Sequence, residues 1–215
     1  MSSPRDGRRT ARPDDSTTGS ADRASGRPTR AQTTRPAPRI LSAERKAEEV
    51  LVQLAVRGAP VPVEHLALQL GLSVERAQLG DDVSGILVVR DGRGLIGVNT
   101  AQAPTRQRFS IAHEIGHFLL HRNVMSVFID KQFTRPYLAA FRDATSATGE
   151  DKREREANAF AAALLMPERF VRNVVTDLGA DADDDGAIAL LAKRFEVSQQ
   201  AMTFRLVNLL ATARS

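Results

Sequence analysis

PTRQRFSIAHEIGHFLLH, from Pro104 to His121, holds HEIGH at His113 to His117, and reading this stretch as a helix decides how the rest of the chain is read. Pro104 presets a first-turn dihedral, and Phe109, Ile111, Ala112, Ile115, Phe118, Leu119 and Leu120 make a broad apolar surface with few breakers. On such a helix His113 and His117 lie one turn apart on one face, with the carboxylate of Glu114 beside them. That is the pattern of a zinc hydrolase, with two imidazole ligands and an unligated acid as general base. Gly116 is the one poor helix former, and its missing side chain is expected to leave room for the metal or the substrate. His121 extends the same face, but eight helical residues span about 12 Å, too far to share one ion with His113. It is expected to cap the helix or pack near its end.

A catalytic zinc site takes three protein ligands and keeps one position for water. The chain has no cysteine, so the donors must be histidine and carboxylate oxygen, which accept Mn2+ as well as Zn2+. Glu150, Glu154 and Glu156 are the candidates for the third ligand. In DKREREANAFAAALLMPERF, helical from Asp151 and ending near Pro167, Ala157, Phe160, Ala161 and Leu164 define a buried face. Glu154, three residues before Ala157 and seven before Ala161, points inward and is the expected ligand. Glu156 falls on the flank, where it reads as a first-turn acid favoured by the helix dipole. Asn158 shares the face of Glu154, within reach of a hydrogen bond to a ligand.

Upstream, Ala43, Ala47, Val50, Leu51, Leu54 and Ala55 recur at helical spacing from Ser42, with Gly58 placed to end the helix. Pro60 and Pro62 break the chain before a short amphipathic helix carrying Val63, Leu66, Ala67 and Leu70, which stops near Gly71; its His65 reads as a surface or packing residue. Ser84 to Asn99 reads as a β-hairpin turning at Asp91-Gly92-Arg93-Gly94. Downstream, Asn123 to Glu150 reads as a loop with short helical pieces, and its Tyr137 stays outside the catalytic set. A last helical pair spans about Asp184 to Leu210.

The first 39 residues contain no Val, Ile, Leu or aromatic residue and five of the ten prolines, so they cannot bury enough surface to offset chain entropy. They read as a disordered tail. The tail carries nine Arg against four Asp, a net of +5 in a chain of +4, so the remainder is near neutral at −1. It reads as solvated rather than as a nucleic-acid tether. Neither a signal-peptide stretch nor a membrane-length segment is present, which points to a cytoplasmic protein without membrane contact.

RQRFSIAHEIGHFLLH at Arg106 to His121, EREANAFAAALLMP at Glu154 to Pro167, the hairpin ending in GVN and FEVSQQAMTFRL at Phe195 to Leu206 together resemble the ImmA/IrrE metallo-endopeptidases. The resemblance covers roughly Leu41 to Leu210. It implies an α+β, gluzincin-like fold: a helical zinc-peptidase domain over 40–183 with a small β-hairpin or sheet, and a helix-turn-helix-like pair over 184–215 packed on the same domain. It also implies metal ligands His113, His117 and Glu154, a catalytic Glu114, and a helix-turn-helix repressor as substrate in mobile-element or stress-response regulation. Members often carry a repressor-like N-terminal domain, which this sequence lacks, so the substrate or DNA-binding partner is expected to be encoded separately.

The competing reading is a DNA-binding or repressor-binding regulator with little proteolytic activity. In it Ala187 to Leu210 forms a helix-turn-helix with Leu190, Leu191, Phe195, Val197, Met202 and Leu206 as its core. The second helix offers only Arg205 to bases or phosphates, so specific DNA binding is not expected.

Overall fold

The computed structural model describes residues 38–123, 127–131, 149–178 and 184–213, all within one compact unit, Thr33–Ser215. Among the described residues there are seven helices: α1 (Pro38–Gln53), α2 (Val63–Gln69), α3 (Pro104–His121), α4 (Gly149–Leu165), α5 (Glu168–Leu178), α6 (Asp185–Phe195) and α7 (Gln199–Ala213). Four strands, β1 (Leu72–Ala77), β2 (Val83–Arg90), β3 (Arg93–Asn99) and β4 (Val127–Lys131), form one sheet in the order β1-β3-β2-β4. The fold is α+β, as the resemblance implies.

The hairpin is present, and its turn is tighter than the sequence suggests. Arg90 pairs with Arg93 across Asp91 and Gly92, whose φ values of 51° and 77° are the two left-handed positions that a two-residue turn needs. Arg93 and Gly94 therefore open β3, and Gly94 lies against the side chain of Leu72. Two strands were not legible in the sequence. β1 runs parallel to β3, from Leu72 opposite Gly94 to Ala77 opposite Asn99, and only Leu72 of it is buried, which leaves a weak apolar pattern. β4 pairs antiparallel to β2, Val88 facing Val127, so part of the expected loop after α3 is an edge strand. The end of that loop, Gly149 and Glu150, belongs to α4, and residues 124–126 and 132–148, with Tyr137, lie outside the described residues.

Helix ends differ from the sequence reading for local reasons. α1 begins at Pro38, so Pro38 and Arg39 belong to it rather than to the tail; residues 1–37 lie outside the described set. It stops at Gln53, well before Gly58. Ala55 takes φ 53°, and Val56 N–H donates to Leu51 O at 2.9 Å while Ala55 N–H donates to Val52 O at 3.1 Å. That is a Schellman closure, completed by the burial of Leu51 and Val56. After Pro167 the chain re-enters a helix, α5, which the sequence reading passed over; Phe170 and Val171 bury its apolar side.

α4 packs on both α1 and α3, while α3 also covers β2 and β3. Ala157, Phe160, Ala161 and Leu164 are fully buried in this layer, the face expected of α4. At Gly116 α3 and α4 approach closely: a Cβ there would lie 3.1 Å from Phe160 Cδ1, 3.2 Å from Ala157 Cα and 3.3 Å from Ala157 O. The space expected to serve metal or substrate is thus taken by the neighbouring helix. Two of those contacts are backbone, which yields little. Gly116→Ala should therefore lower unfolding stability by about 1–3 kcal/mol in denaturant titration, despite the roughly 1 kcal/mol gain in helix propensity.

Candidate metal centre and active site

The α3–α4 contact at Gly116 sets the site. Because Ala157 abuts Gly116, Glu154, one turn earlier on α4, faces His113 and His117 on α3. Glu154 Oε2 lies 3.2 Å from His113 Nε2, Glu154 Oε1 lies 3.1 Å from His117 Nε2, and the two Nε2 atoms are 3.0 Å apart. Donors about 2.0–2.1 Å from a tetrahedral Zn2+ would be about 3.3 Å from one another, so the triangle is close to the size of one ligand face. Among the described residues, these three make the group that could hold a metal ion.

Protonation fits the same conclusion. Asn158 Oδ1 sits 3.0 Å from His113 Nδ1 and, as an acceptor, places the ring proton there. The His113 Nε2 lone pair then faces a carboxylate and a second imidazole, an arrangement reconciled by a cation. Burial pushes the His117 imidazole down to about 4, against the opposing pull of Glu154, so the ring is neutral near pH 7. Burial would by itself raise the Glu154 carboxyl, but its contacts with the His113 and His117 rings outweigh it and hold the group well below the usual carboxylate range. Neutral imidazole and ionised carboxylate are the forms that bind metal. Both histidine side chains are 2% exposed and Glu154 is 23% exposed, so the group faces solvent on the Glu154 side.

Glu114 is fully buried beside this group. His121 is buried at the end of α3, with its Nε2 3.5 Å from Glu156 Oε2, and Glu156 Oε1 lies 3.5 Å from Arg39 Nη1. Glu156 thus pairs with side chains beyond its own helix. α4 starts at Gly149, which places Glu154 and Glu156 past its first turn, so the dipole argument does not apply to Glu156. Glu150 falls within that first turn. His65 is exposed, with Nε2 2.8 Å from Gln69 Nε2 and far from the site in the chain.

Several residues near the site were not anticipated. Asn99, buried at the end of β3, donates from Nδ2 to Val83 O at 2.7 Å and accepts from Ala101 N–H at 3.0 Å. Arg106 Nη2 donates to the buried Ser84 Oγ at 3.0 Å, tying β2 to α3. The GVN and RQRF stretches quoted for the resemblance contain Asn99 and Arg106, but only the three-dimensional contacts assign them these parts.

The IrrE N-terminal-like domain, a peptidase family, matches residues 67–207, which include the whole candidate site. The chain belongs to the ImmA/IrrE metallopeptidase family. It is 34% identical over 125 residues to the radiation response metalloprotease IrrE of Deinococcus radiodurans, a match covering 55% of this chain and 34% of that relative. The chain thus spans about a third of the relative's length. Its fold is similar to that of a Mycobacterium tuberculosis transcriptional regulator, with a TM-score of 0.53 at 19% identity over 77% of this chain and 46% of that one.

The C-terminal pair departs from the helix-turn-helix reading at two positions. Leu190, expected in its core, is 57% exposed, whereas Leu191, Phe195, Val197, Met202 and Leu206 are buried. Arg205 faces inward: its Nε donates to Met166 O at 3.0 Å and its Nη1 to Glu44 Oε1 at 2.6 Å. The one cation of α7 is spent on internal contacts. No described helix is long and apolar enough to cross a membrane.

On these contacts Glu154→Ala should lose most of the bound zinc, measured by metal analysis after gel filtration, while Glu156→Ala keeps it. Asn158→Ala should weaken zinc binding by about 10–100-fold in a competitive chelator titration, because the proton placement on His113 is lost.

Proposed function

We propose that the chain is a metal-dependent endopeptidase whose ion, Zn2+ or with the same donors Mn2+, is held by His113, His117 and Glu154, with Glu114 as general base. The observation that carries this reading is the convergence of two imidazole nitrogens and a carboxylate within hydrogen-bond distance of one another, beside a buried glutamate. A divalent ion at such a site supplies Lewis acidity for the water and the scissile carbonyl. Asn158 orients His113, and the burial of His117 keeps it available as a neutral ligand. Glu114 takes a proton from the attacking water as its oxygen bonds to the carbonyl carbon. It returns that proton to the amine nitrogen as the C–N bond breaks. Water is the nucleophile, so no covalent enzyme intermediate is required.

The substrate we infer is a helix-turn-helix repressor encoded near this chain and cut in the cytoplasm, in mobile-element or stress-response regulation. Support comes from family membership and from the similarity to the radiation response metalloprotease of D. radiodurans. The regulator reading is weakened by Arg205, whose guanidinium is committed inside the fold.

Incubating the zinc-loaded chain with the neighbouring repressor should give a single cut, seen by intact-mass spectrometry. Glu114→Gln should retain zinc and lose at least about 100-fold in cleavage rate. Metal loss on that substitution would instead make Glu114 part of the ligand set. For the competing reading, a protein lacking residues 1–37 should bind its own upstream DNA weakly and without sequence preference at physiological salt. Tight, sequence-dependent retention in a gel shift would put the regulator ahead.

A further inference from the structure

Glu114 is bounded on its sheet side by a glycine. Among the described residues the glycines with left-handed backbone are Gly71 and Gly92, so the conformation of Gly85 in β2 is one that any residue could adopt. What its neighbours restrict is space: a Cβ on Gly85 would lie 3.1 Å from Glu114 Oε1, 3.4 Å from Ser110 Cβ and 3.5 Å from Gly97 O. Ser84, Ser110 and Glu114 are all fully buried, so the volume is closed. The strand is also held in place. Arg106 grips Ser84 Oγ at 3.0 Å, Asn99 grips Val83 O at 2.7 Å, and the pairing of β2 with β4 shifts register between Val83 and Gly85. A glycine inside a strand commonly marks close approach by another group, and bulges beside active sites re-aim side chains.

We propose that Gly85 is a positioning residue for Glu114: its bare Cα, in a strand tied to α3 through Ser84 and to Asn99 of β3 through Val83, reserves the space in which the catalytic carboxylate is held. The proposal rests on Glu114 being the general base. A methyl group at position 85 meets the far end of the Glu114 side chain, the most easily moved of its neighbours, so the carboxylate gives way before the strand does. A shift of about 1 Å in a reacting group can cost on the order of 100-fold in rate.

The test is a double-mutant cycle of Gly85→Ala and Glu114→Asp in the zinc-loaded full chain, with the neighbouring repressor as substrate, together with crystal structures of wild type and Gly85→Ala. Gly85→Ala should keep its zinc and its KM within about threefold but lose about 100-fold in kcat, with the Glu114 carboxylate moved by about 1 Å and β2 in place. In the Glu114→Asp background, where the carboxylate is one methylene further back, the same substitution should cost less than about twofold. Equal losses in both backgrounds, kcat within about twofold of wild type, or a structure in which β2 retreats and Glu114 stays would each overturn the proposal. Should Gly85→Ala fail to fold, Ser84→Ala removes the Arg106 grip without adding an atom. A kcat loss of about 3–10-fold that disappears in the Glu114→Asp background is then expected, and an unchanged kcat overturns the proposal. If the repressor is not cut by wild type, the two crystal structures decide the placement on their own. An active Glu114→Gln would sink the base assignment itself, an outcome distinct from a fully active Gly85→Ala beside an inactive Glu114→Gln.

Discussion

The close approach of α3 and α4 at Gly116 is the contact on which the candidate site depends. With Ala157 Cα only 3.2 Å from where a Gly116 Cβ would stand, the two backbones are held at a separation set by the absence of one methyl group. A metal site tolerates little slack in the distance between its donors. Here the two histidines come from one helix and the carboxylate from another, with no covalent link between the helices near that point. Their spacing is therefore a product of packing density: Phe160, Ala161 and Leu164 on α4, and Ile111, Ala112 and Ile115 on α3, are fully buried and leave no room for sliding.

A layer of polar contacts then sets the chemistry of those donors. Asn158 comes from the same helix as Glu154, so one element supplies both a carboxylate and the acceptor that orients the opposing imidazole. On the other side of α3 the sheet closes over Glu114, with Asn99 and Arg106 fastening the start of β2. Helices on one side and strands on the other enclose a carboxylate that would be costly to bury without polar partners.

The C-terminal pair shows how one apolar pattern serves two purposes. Leu191, Phe195, Met202 and Leu206 would bury equally well in a DNA-reading pair or in a packed helical hairpin. What separates the two is the direction of a single guanidinium. Arg205 is turned inward, satisfied by the Met166 carbonyl and by Glu44 of α1, and it ties the last helix to the first. A buried guanidinium needs such partners, and once committed to them it is unavailable to a phosphate.

Much of the candidate site's layout was legible in the sequence. HEIGH fixes the i, i+4 spacing of the imidazoles, because helical periodicity alone places them on one face, and the run Ala157, Phe160, Ala161, Leu164 locates the face from which Glu154 projects. The hairpin was equally legible, since Asp-Gly is one of few pairs that adopt two left-handed dihedrals in succession. These are local properties, written within a few turns or a few strand residues. β1 and β4 were not, because their signal lies in partners distant in the chain: a parallel mate in β3, and an edge position beside β2. The roles of Gly116 and Gly85 were hidden for the same reason. A glycine in the sequence reports only a missing side chain, and what fills that space, Ala157 in one case and the Glu114 carboxylate in the other, is decided by which distant element the fold brings against it.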